Sequence, residues 1–393
     1  MLKNKNKGIT LVALVITIII LLILAGISIS ALTNTGIFGK AKDAKNASEN
    51  AEKEQKQTLS EYEKELNKYT AQELTNDKVN KVLSETENTI LKDVNGNIFT
   101  LPAGFKITGD ATTVDKGIII EDATVDSNGN ATPTNGSQFV WVPVGEITKT
   151  DGTKTEIKLN RYIFASDGTP IEKNEDVIGP YYQELATSDK GNTVAKNITN
   201  FKNSVKANGG YYIGRYEART TTARYHAEDA LTQITEKGTD QVYNYVTQKQ
   251  AAERAQGMYT NNNFTSDLMN SYAWDTAITF IQNCTDKTNY ANQNSLNTSL
   301  SQTGTTNDNP CNIFDMASNV LEWTTETSSN SNDPRVLRGG SCNSSNNYTS
   351  VRGIDLTSNS NYHMGFRPLL YLQNWTLKPL LNHINKKLLS VKI

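Results

Sequence analysis

Hydrophobic residues are concentrated in one long run near the N-terminus of the chain. No charged residue occurs between positions 8 and 39, and residues 9–32 are almost entirely aliphatic. Twenty-four residues at about 1.5 Å each extend roughly 36 Å, more than a hydrocarbon core of about 30 Å. The apolar region of a signal peptide is shorter, at about 7–15 residues. The pattern predicts a transmembrane helix over residues 9–34.

The charges before this run predict its orientation. Lys3, Lys5 and Lys7 precede it, and the positive-inside rule keeps such a flank in the cytoplasm. We therefore expect a single-pass protein of the cell membrane, with a cytoplasmic N-terminus and an extracellular C-terminal domain.

The start of the apolar run resembles a prepilin processing site. A basic leader ends at Gly8 and is followed by Ile9, then Thr-Leu and the long apolar helix. The resemblance implies a leader over residues 1–8, cleavage after Gly8, N-methylation of Ile9, pilin-like subunits as partners and association with a pilus. The family usually has Glu at the fifth mature position, where this chain has Ala13. A buried amine without that carboxylate is costly, so a minor subunit or a plain anchor fits better than a main filament subunit.

Residues 41–75 carry a stripe of small and apolar residues at steps of three and four, with Lys and Glu between them. This pattern predicts an amphipathic stalk helix. The helix would pack on the domain or on a neighbouring helix, or it would act as a spacer. The stripe comprises Ala44, Ala47, Ala51, Leu59, Tyr62, Leu66 and Tyr69.

From residue 90 the pattern changes to short strand-like runs separated by turn residues. Residues 93–97 have hairpin chemistry between the apolar runs 90–91 and 98–100, and residues 117–120 form another strand candidate. We expect a small β-rich lead-in over residues 90–136.

Six short blocks then follow in order through residues 137–372. Together they resemble the formylglycine-generating enzyme, or sulfatase-modifying factor, family, which has a C-type-lectin-like fold. The fold class predicted for the whole chain is α+β, with the transmembrane and stalk helices followed by this lectin-like domain. The blocks are residues 139–145, 210–217, 273–277, 315–323, 338–341 and 365–368.

Several residues of these blocks have a structural interpretation. Arg338 and Arg367 stand beside apolar neighbours, which suggests buried guanidinium groups that need carboxylate or carbonyl partners. Trp274 and Trp323 supply large buried areas. We expect these residues to hold the fold together.

Charge and cysteine content narrow the possible partners. The formal net charge is −2, but residues 1–40 and 373–393 each carry four lysines and no acid, so the body of the chain is acidic. Such a surface is a poor match for phosphate backbones, and we expect no nucleic-acid partner. Three cysteines are too few for a disulfide framework, and Cys284 with Cys311 is the better candidate pair.

The block at 315–323 contains candidate metal ligands. Two carboxylates, Asp315 and Glu322, bracket a turn whose carbonyls can point inward, and calcium prefers such oxygen ligands. The resemblance implies a structural calcium held by Asp315, Glu322 and the backbone oxygens of Ser318 and Val320. The alternative is that Glu322 pairs with an arginine and Asp315 caps a turn.

The family's oxidase chemistry is not expected here. The resemblance implies copper(I) held by two cysteines, and the corresponding positions of this chain are Ser344 and Thr349. Copper(I) needs soft thiolates, and Cys342 has no partner at the family's spacing.

The segment from 342 to 363 has a different composition. Of its 22 residues, 14 are Asn, Ser, Thr or Tyr, which is typical of an adaptable binding surface. It also resembles the variable region of lectin-fold proteins diversified by retroelements; the alternative is an ordinary polar loop of an Asn-rich chain. The candidate ligand-binding residues are Asn343, Ser344, Asn346, Asn347, Tyr348, Ser358, Asn359, Asn361 and Tyr362.

These patterns predict a cell-surface, non-catalytic, adhesin-like or receptor-like protein whose lectin-like head binds an extracellular protein or glycan. The alternatives are a minor pilin or pseudopilin subunit, and a formylglycine-generating oxidase, which the missing cysteines disfavour. The basic tail, residues 373–393, is either an amphipathic helix or a frayed extension.

Overall fold

The structure is a computed structural model of the chain. It describes residues 43–54, 70–173, 177–178, 181–182, 195–226, 228, 238, 240–330, 332, 334–344 and 347–373. The chain divides into two compact units, Met1–Glu65 and Leu66–Ile393. In the first unit, residues 43–54 are described; they are helical and mostly exposed, within the predicted stalk.

The predicted fold class is wrong. The described residues are mostly β-structure with few helices, rather than α+β. In the described ranges no helix has both the length and the apolar character needed to cross a membrane, so the single-pass membrane location is corrected too. The apolar run on which that prediction depends, with Gly8 and Ile9, lies outside the described residues, as does the tail from 374 onward.

The strands of the second unit are short. In chain order they are β1 (Gln72–Glu73), β2 (Thr89–Lys92), β3 (Ile98–Leu101), β4 (Phe105–Thr108), β5 (Ile119–Val125), β6 (Ala131–Pro143), β7 (Gly145–Thr148), β8 (Lys154–Ile157), β9 (Arg161–Phe164), β10 (Pro170–Lys173), β11 (Val177–Ile178), β12 (Tyr181–Tyr182), β13 (Gly210–Gly214), β14 (Arg219–Thr220), β15 (Gln241–Val242), β16 (Phe264–Leu268), β17 (Leu321–Ser328), β18 (Arg335–Arg338), β19 (Arg352–Asp355), β20 (Met364–Phe366) and β21 (Pro368–Leu372).

Three α-helices are described in this unit, α1 (Ile198–Asn208), α2 (Gln248–Gln256) and α3 (Ser271–Cys284). Their limits follow from local side chains. The Asn197 and Asn270 side chains accept bonds from the first turns of α1 and α3, and Thr247 forms a capping box with Gln250 on α2. Gly209, at φ 73°, ends α1. Frequent caps and breakers keep these helices short, which is why the described chain is mainly strand.

The first sheet has six strands in the order β16-β21-β13-β6-β5-β4, with every neighbouring pair antiparallel. Its core face includes Trp141 on β6, which packs against Tyr212 on β13 with ring centroids 4.9 Å apart. Strands β4 and β5 come from the predicted lead-in, and β5 pairs with β6, the strand that carries the head's first block, while β4 pairs with β5. The predicted 93–97 hairpin is also confirmed, because β2 and β3 pair antiparallel on either side of it.

The second sheet brings the later sequence blocks together. Its order is β11-β12-β17-β18-β19, and β20 pairs with β17 in parallel. Glu322 on β17 lies opposite Arg338 on β18 and Gly365 on β20. Three blocks separated in sequence therefore form adjacent strands, and β19 forms one edge.

The core lies between these sheets and the helices. Trp141, Trp274 and Trp323 are fully buried, each removing roughly 150–250 Å² of surface from water. At about 25 cal/mol per Å², each contributes several kcal/mol. The prediction that Trp274 and Trp323 are buried is confirmed.

Candidate functional site

Buried arginines support the region around β18. The arginine cluster comprises Arg161, Arg338 and Arg352 with Asp275 on α3 and Glu326 on β17. Arg338 Nη2 and Arg352 Nη2 each lie 2.5 Å from Asp275, one on each carboxylate oxygen. Arg161 Nη2 lies 2.5 Å from Glu326 Oε1, and Arg352 Nε lies 2.9 Å from the same oxygen. Burial alone would raise the pKa of Asp275, but Arg338 and Arg352 outweigh it and hold that pKa below its ordinary value.

A second buried cluster contains more carboxyl groups than guanidinium groups. The carboxylate cluster comprises Glu217, Asp308, Asp315 and Glu322 with a single guanidinium, that of Arg367. Arg367 Nη2 donates to Glu322 Oε1 at 2.7 Å and Nε lies 3.2 Å from both oxygens. The remaining Arg367 donor, Nη1, reaches the Gly214 carbonyl at 2.8 Å. The predicted carboxylate partners of Arg338 and Arg367 are therefore confirmed.

The other carboxylates of this cluster accept bonds from neutral donors. Glu217 accepts from Asn319 Nδ2 at 2.6 Å and from the Val320 amide at 3.0 Å. Asp315 accepts from the Gly304 amide at 3.2 Å and from the Thr306 hydroxyl. Burial raises the pKa of Asp315 to about 6, and burial with the nearby Asp315 and Glu322 raises the pKa of Glu217. The cluster holds these carboxyls towards their protonated form.

Two glycines allow the chain to pass close to the backbone of residues 316–318. A Cβ atom at Gly340 would lie 1.8 Å from the Ala317 carbonyl oxygen, and Gly339 has φ 90°. Only glycine permits this close approach and this backbone conformation. The chain emerging at residue 341 is therefore fixed against the 315–319 turn.

The segment that follows is fastened to the core at several points. We call residues 342–363 the recognition segment. Thr349 is fully buried, and its carbonyl accepts from Trp274 Nε1 at 2.9 Å. The Ser350 amide donates to Ala291 at 3.0 Å, and Arg352 enters the arginine cluster. The segment thus has a rigid middle.

On either side of this fastened middle, several of the predicted ligand-binding side chains reach solvent. Tyr348 and Tyr362 are each 38% exposed. Tyr362 Oη donates to Asn343 Oδ1 at 2.6 Å, which joins the two ends of the segment. Asn346 lies outside the described residues. Asn343, Ser358 and Asn359 are also exposed, and Ser344, Asn347 and Asn361 are half-buried.

An adjoining cleft was not predicted from the sequence. It has a volume of about 280 Å³ and is bounded by the loops around residues 223–225, 241–245 and 300–302, with Tyr362 as one wall. Tyr225 is 65% exposed there and Leu300 is 40% exposed. The tyrosines around residue 225 and 245 gave no periodic signal in the sequence, since they occupy loops that only the fold brings together.

Five of the six sequence blocks contribute residues to these clusters, and the family can be tested on them. Residues 206–370 match the sulfatase-modifying factor enzyme 1-like domain. The resemblance is thereby confirmed for this part of the chain; the predicted start of the domain at 137 lies before the match, and a prepilin N-terminus is not shown. No curated protein sequence matches the chain.

Among solved structures, the chain is similar to Treponema denticola variable protein 1, at 12% identity over 61% of this chain and 97% of that one, with a TM-score of 0.33. The Major Tropism Determinant U1 variant is 14% identical over 77% of this chain and 86% of that one, with a TM-score of 0.32. The M1 variant is 15% identical, with a TM-score of 0.30.

The sulfatase-modifying-factor-like domain carries hydroxyls where its family resemblance implies copper-binding thiolates. Ser344 and Thr349 stand at those positions. Cys342 is 7% exposed, and burial with the nearby Glu217 raises the pKa of its thiol to about 11. A protonated thiol is a poor ligand for a soft metal. Cys284 and Cys311, the candidate disulfide pair, are free and buried.

The two carboxylates among the four predicted calcium ligands already have partners within the protein. Both oxygens of Glu322 lie within 3.2 Å of the Arg367 guanidinium, so this carboxylate is already paired with a cation. Asp315 accepts bonds from hydroxyl and amide donors, including Ser318 Oγ at 3.4 Å. In the described ranges, no three His, Cys, Asp or Glu side chains are grouped to hold a metal ion. The part of the alternative in which Glu322 pairs with an arginine is confirmed, while calcium stays a prediction.

Proposed function

We propose that this chain is a non-catalytic ligand-binding protein and that the recognition segment is its binding face. The observation that supports this most strongly is the division within residues 342–363. The middle of the segment is pinned to buried residues, and Asn343, Tyr348, Ser358 and Tyr362 face solvent on either side.

A fixed middle flanked by exposed Asn, Ser and Tyr side chains suits ligand binding for a physical reason. Tyr supplies rigid contact area with little loss of side-chain entropy, and Asn and Ser supply adaptable hydrogen bonds. A face held in place before binding loses less conformational freedom when the ligand arrives. The oxidase alternative would need a reactive thiolate in this face, and the cysteine there, Cys342, is buried with a raised pKa.

The ligand in this proposal is a protein or a glycan, and the acidic body argues against nucleic acid. We also propose that the exposed positions of the segment vary between copies of the protein. Sequencing residues 342–363 from many cells of one lineage tests this. Substitutions confined to exposed positions support it, and an invariant segment contradicts it.

Binding can be tested on the full chain with a random-peptide display library. Peptides recovered on the protein are measured again on a variant carrying Asn343→Arg, Ser358→Arg and Asn359→Arg. The matched control is Val94→Arg, in a turn where Val94 is 82% exposed. We expect the triple variant to weaken most recovered peptides by about tenfold or more through the bulk and charge at the binding face, and the control to leave them unchanged.

If the recovered peptides bind the triple variant as tightly as the unaltered chain, the assignment of the binding face is contradicted. The enzymatic alternative is tested by titrating the full chain with copper(I), with Cys342→Ser as the control. Stoichiometric copper binding that the substitution removes would favour an oxidase instead.

A further inference from the structure

We propose that the cleft beside Tyr362 is the anchor pocket of the binding face and that it takes one uncharged aromatic side chain of a protein ligand. This inference rests on the proposed function and names the partner class for it. The cleft lies outside the recognition segment except for Tyr362, so the ligand would contact loops that the sequence did not single out.

The size of the cleft sets the size of the group it can hold. Its volume of about 280 Å³ lies just below the range of about 300–1,000 Å³ typical of pockets for drug-sized ligands. This suits a single ring rather than an extended cofactor. Tyr225, Tyr245, Tyr362 and Leu300 contribute to the lining, and aromatic rings pack favourably edge-to-face or offset against another ring.

The charges around the cleft favour an uncharged group. The charged residue among its described lining residues is Arg224, which is 4% exposed. Its Nε donates to the Asn244 carbonyl at 3.2 Å and its Nη2 to the Tyr245 carbonyl at 3.0 Å. The guanidinium also lies 5.3 Å from the centre of the Tyr243 ring. Arg224 therefore holds the wall in shape rather than offering a charge to a ligand.

The wall of the cleft is held in an unusual conformation. Tyr245 has φ 49°, which an aromatic residue rarely adopts. Its carbonyl is clamped by Arg224, and its amide donates to the Asn361 carbonyl at 3.0 Å. Strain of this kind persists where the surrounding structure enforces it, commonly at binding sites. Here the enforced backbone places the Tyr245 ring in the lining.

The cleft and the recognition segment form one continuous surface. Asn244 Nδ2 donates to the Tyr362 carbonyl at 2.8 Å, while the Tyr362 hydroxyl bonds to Asn343 at the other end of the segment. A ligand that filled the cleft alone would leave the exposed polar face unused. A protein that inserts one aromatic side chain and lays its surroundings on the segment uses both, in the way a central anchor works in protein interfaces.

The test uses N-acetyl-4-fluoro-L-phenylalaninamide as the probe and fluorine NMR on the full chain. We expect saturable line broadening with a Kd of roughly 1 mM, as befits an isolated anchor group. N-acetyl-tryptophanamide should compete, while N-acetyl-lysinamide and a methyl hexoside should not. Tyr225→Ala should weaken the probe by about tenfold or more, because one ring of the lining is lost, and Tyr225→Phe should retain binding.

The control variant is Ile171→Ala, since Ile171 is 46% exposed on β10 and is not among the lining residues. It should bind the probe as the unaltered chain does. Because Tyr225 is mostly exposed, its substitutions should leave the unfolding transition in place, which urea titration checks.

Three results would overturn the inference: no saturable binding at about ten times the expected Kd, competition by the hexoside in place of the aromatic amide, or equal binding by the Tyr225→Ala variant. The peptide-display experiment tests the proposed function independently of the fluorinated probe. If display peptides depend on Asn343, Ser358 and Asn359 while the fluorinated probe does not bind, the face survives and the aromatic anchor does not.

Discussion

The two buried clusters differ in which charged group is in excess. The arginine cluster holds three guanidinium groups and two carboxylates, with Asp275 and Glu326 each shared between arginines. The carboxylate cluster holds four carboxyls around Arg367. Each cluster takes one carboxylate from β17, Glu326 and Glu322 respectively, and Arg352 of the arginine cluster holds the middle of the recognition segment.

The difference matters because the two kinds of group respond differently when a partner is lost. A buried carboxylate can take up a proton and become neutral, whereas arginine keeps its charge at any ordinary pH. Removing an acid from the arginine cluster should therefore lower the free energy of unfolding at every pH. Removing the cation from the carboxylate cluster should lower it mainly at high pH.

The largest expected effect is from Asp275→Asn. Arg338 and Arg352 would lose the carboxylate that they share and could not shed their charges, at a cost of about 3–5 kcal/mol in the free energy of unfolding. Urea unfolding of the full chain at pH 5 and pH 8 should show a similar loss at both. The matched control is Glu146→Gln, whose pair with Lys154 is exposed and should cost no more than about 1 kcal/mol. A small effect of Asp275→Asn would mean that the arginines find other partners.

The next effect is from Arg367→Met, and it should depend on pH. At pH 8 the Glu322 carboxylate would be left buried without its cation, at a cost of about 3 kcal/mol. At pH 5 Glu322 can protonate in the folded state, since its pKa is already raised by burial, so the cost should be smaller. Unfolding curves at the two pH values measure the difference. An equal loss of unfolding free energy at both pH values would contradict the expected difference between the two clusters.

Asp315→Asn isolates one carboxyl of the acidic group. The folded-state pKa of Asp315 is raised from 3.8 to about 6, so the folded state binds the proton more tightly. Its contribution to stability is therefore full below pH 3.8 and is lost as the pH rises through 6, by up to about 3 kcal/mol at roughly 1.4 kcal/mol per pKa unit.

The variant should show a shallower fall in stability across that window than the unaltered chain. Asp126→Asn is the control, because Asp126 is exposed and its pKa is lowered by the Asn130 amide. An unchanged slope for Asp315→Asn would show that Asp315 does not titrate between those pH values.

Local features of the fold were readable from the sequence. The turn chemistry at Asp93 predicted the β2–β3 hairpin, and the Asp93 carboxylate indeed accepts from the amides of Asn95 and Asn97. The apolar neighbours of Arg338 and Arg367 predicted buried guanidinium groups. Each of these signals depends on residues close together in the chain.

Long-range pairings left no such signal. Arg338 and Asp275 are 63 residues apart, and Arg161 and Glu326 are 165 apart. Which acid pairs with which arginine depends on how the fold brings distant segments together, and the sequence around each residue gives no sign of it. The α+β assignment was wrong because it counted the predicted helices over 9–34 and 41–75, whereas the described residues are mostly β-structure with few helices.

The smallest expected effect is in the recognition segment itself. Ser358→Ala and Asn359→Ala alter exposed side chains, and each should change the free energy of unfolding by no more than about 0.5 kcal/mol. Arg352→Met, in the same segment, should cost more, because Arg352 bonds to Asp275 and Glu326 inside the arginine cluster. Urea unfolding of the three variants side by side compares exposed and pinned positions directly. If the exposed substitutions lower the free energy of unfolding as much as Arg352→Met does, the exposed side chains contribute to the stability of the fold. That result would contradict their assignment to ligand binding.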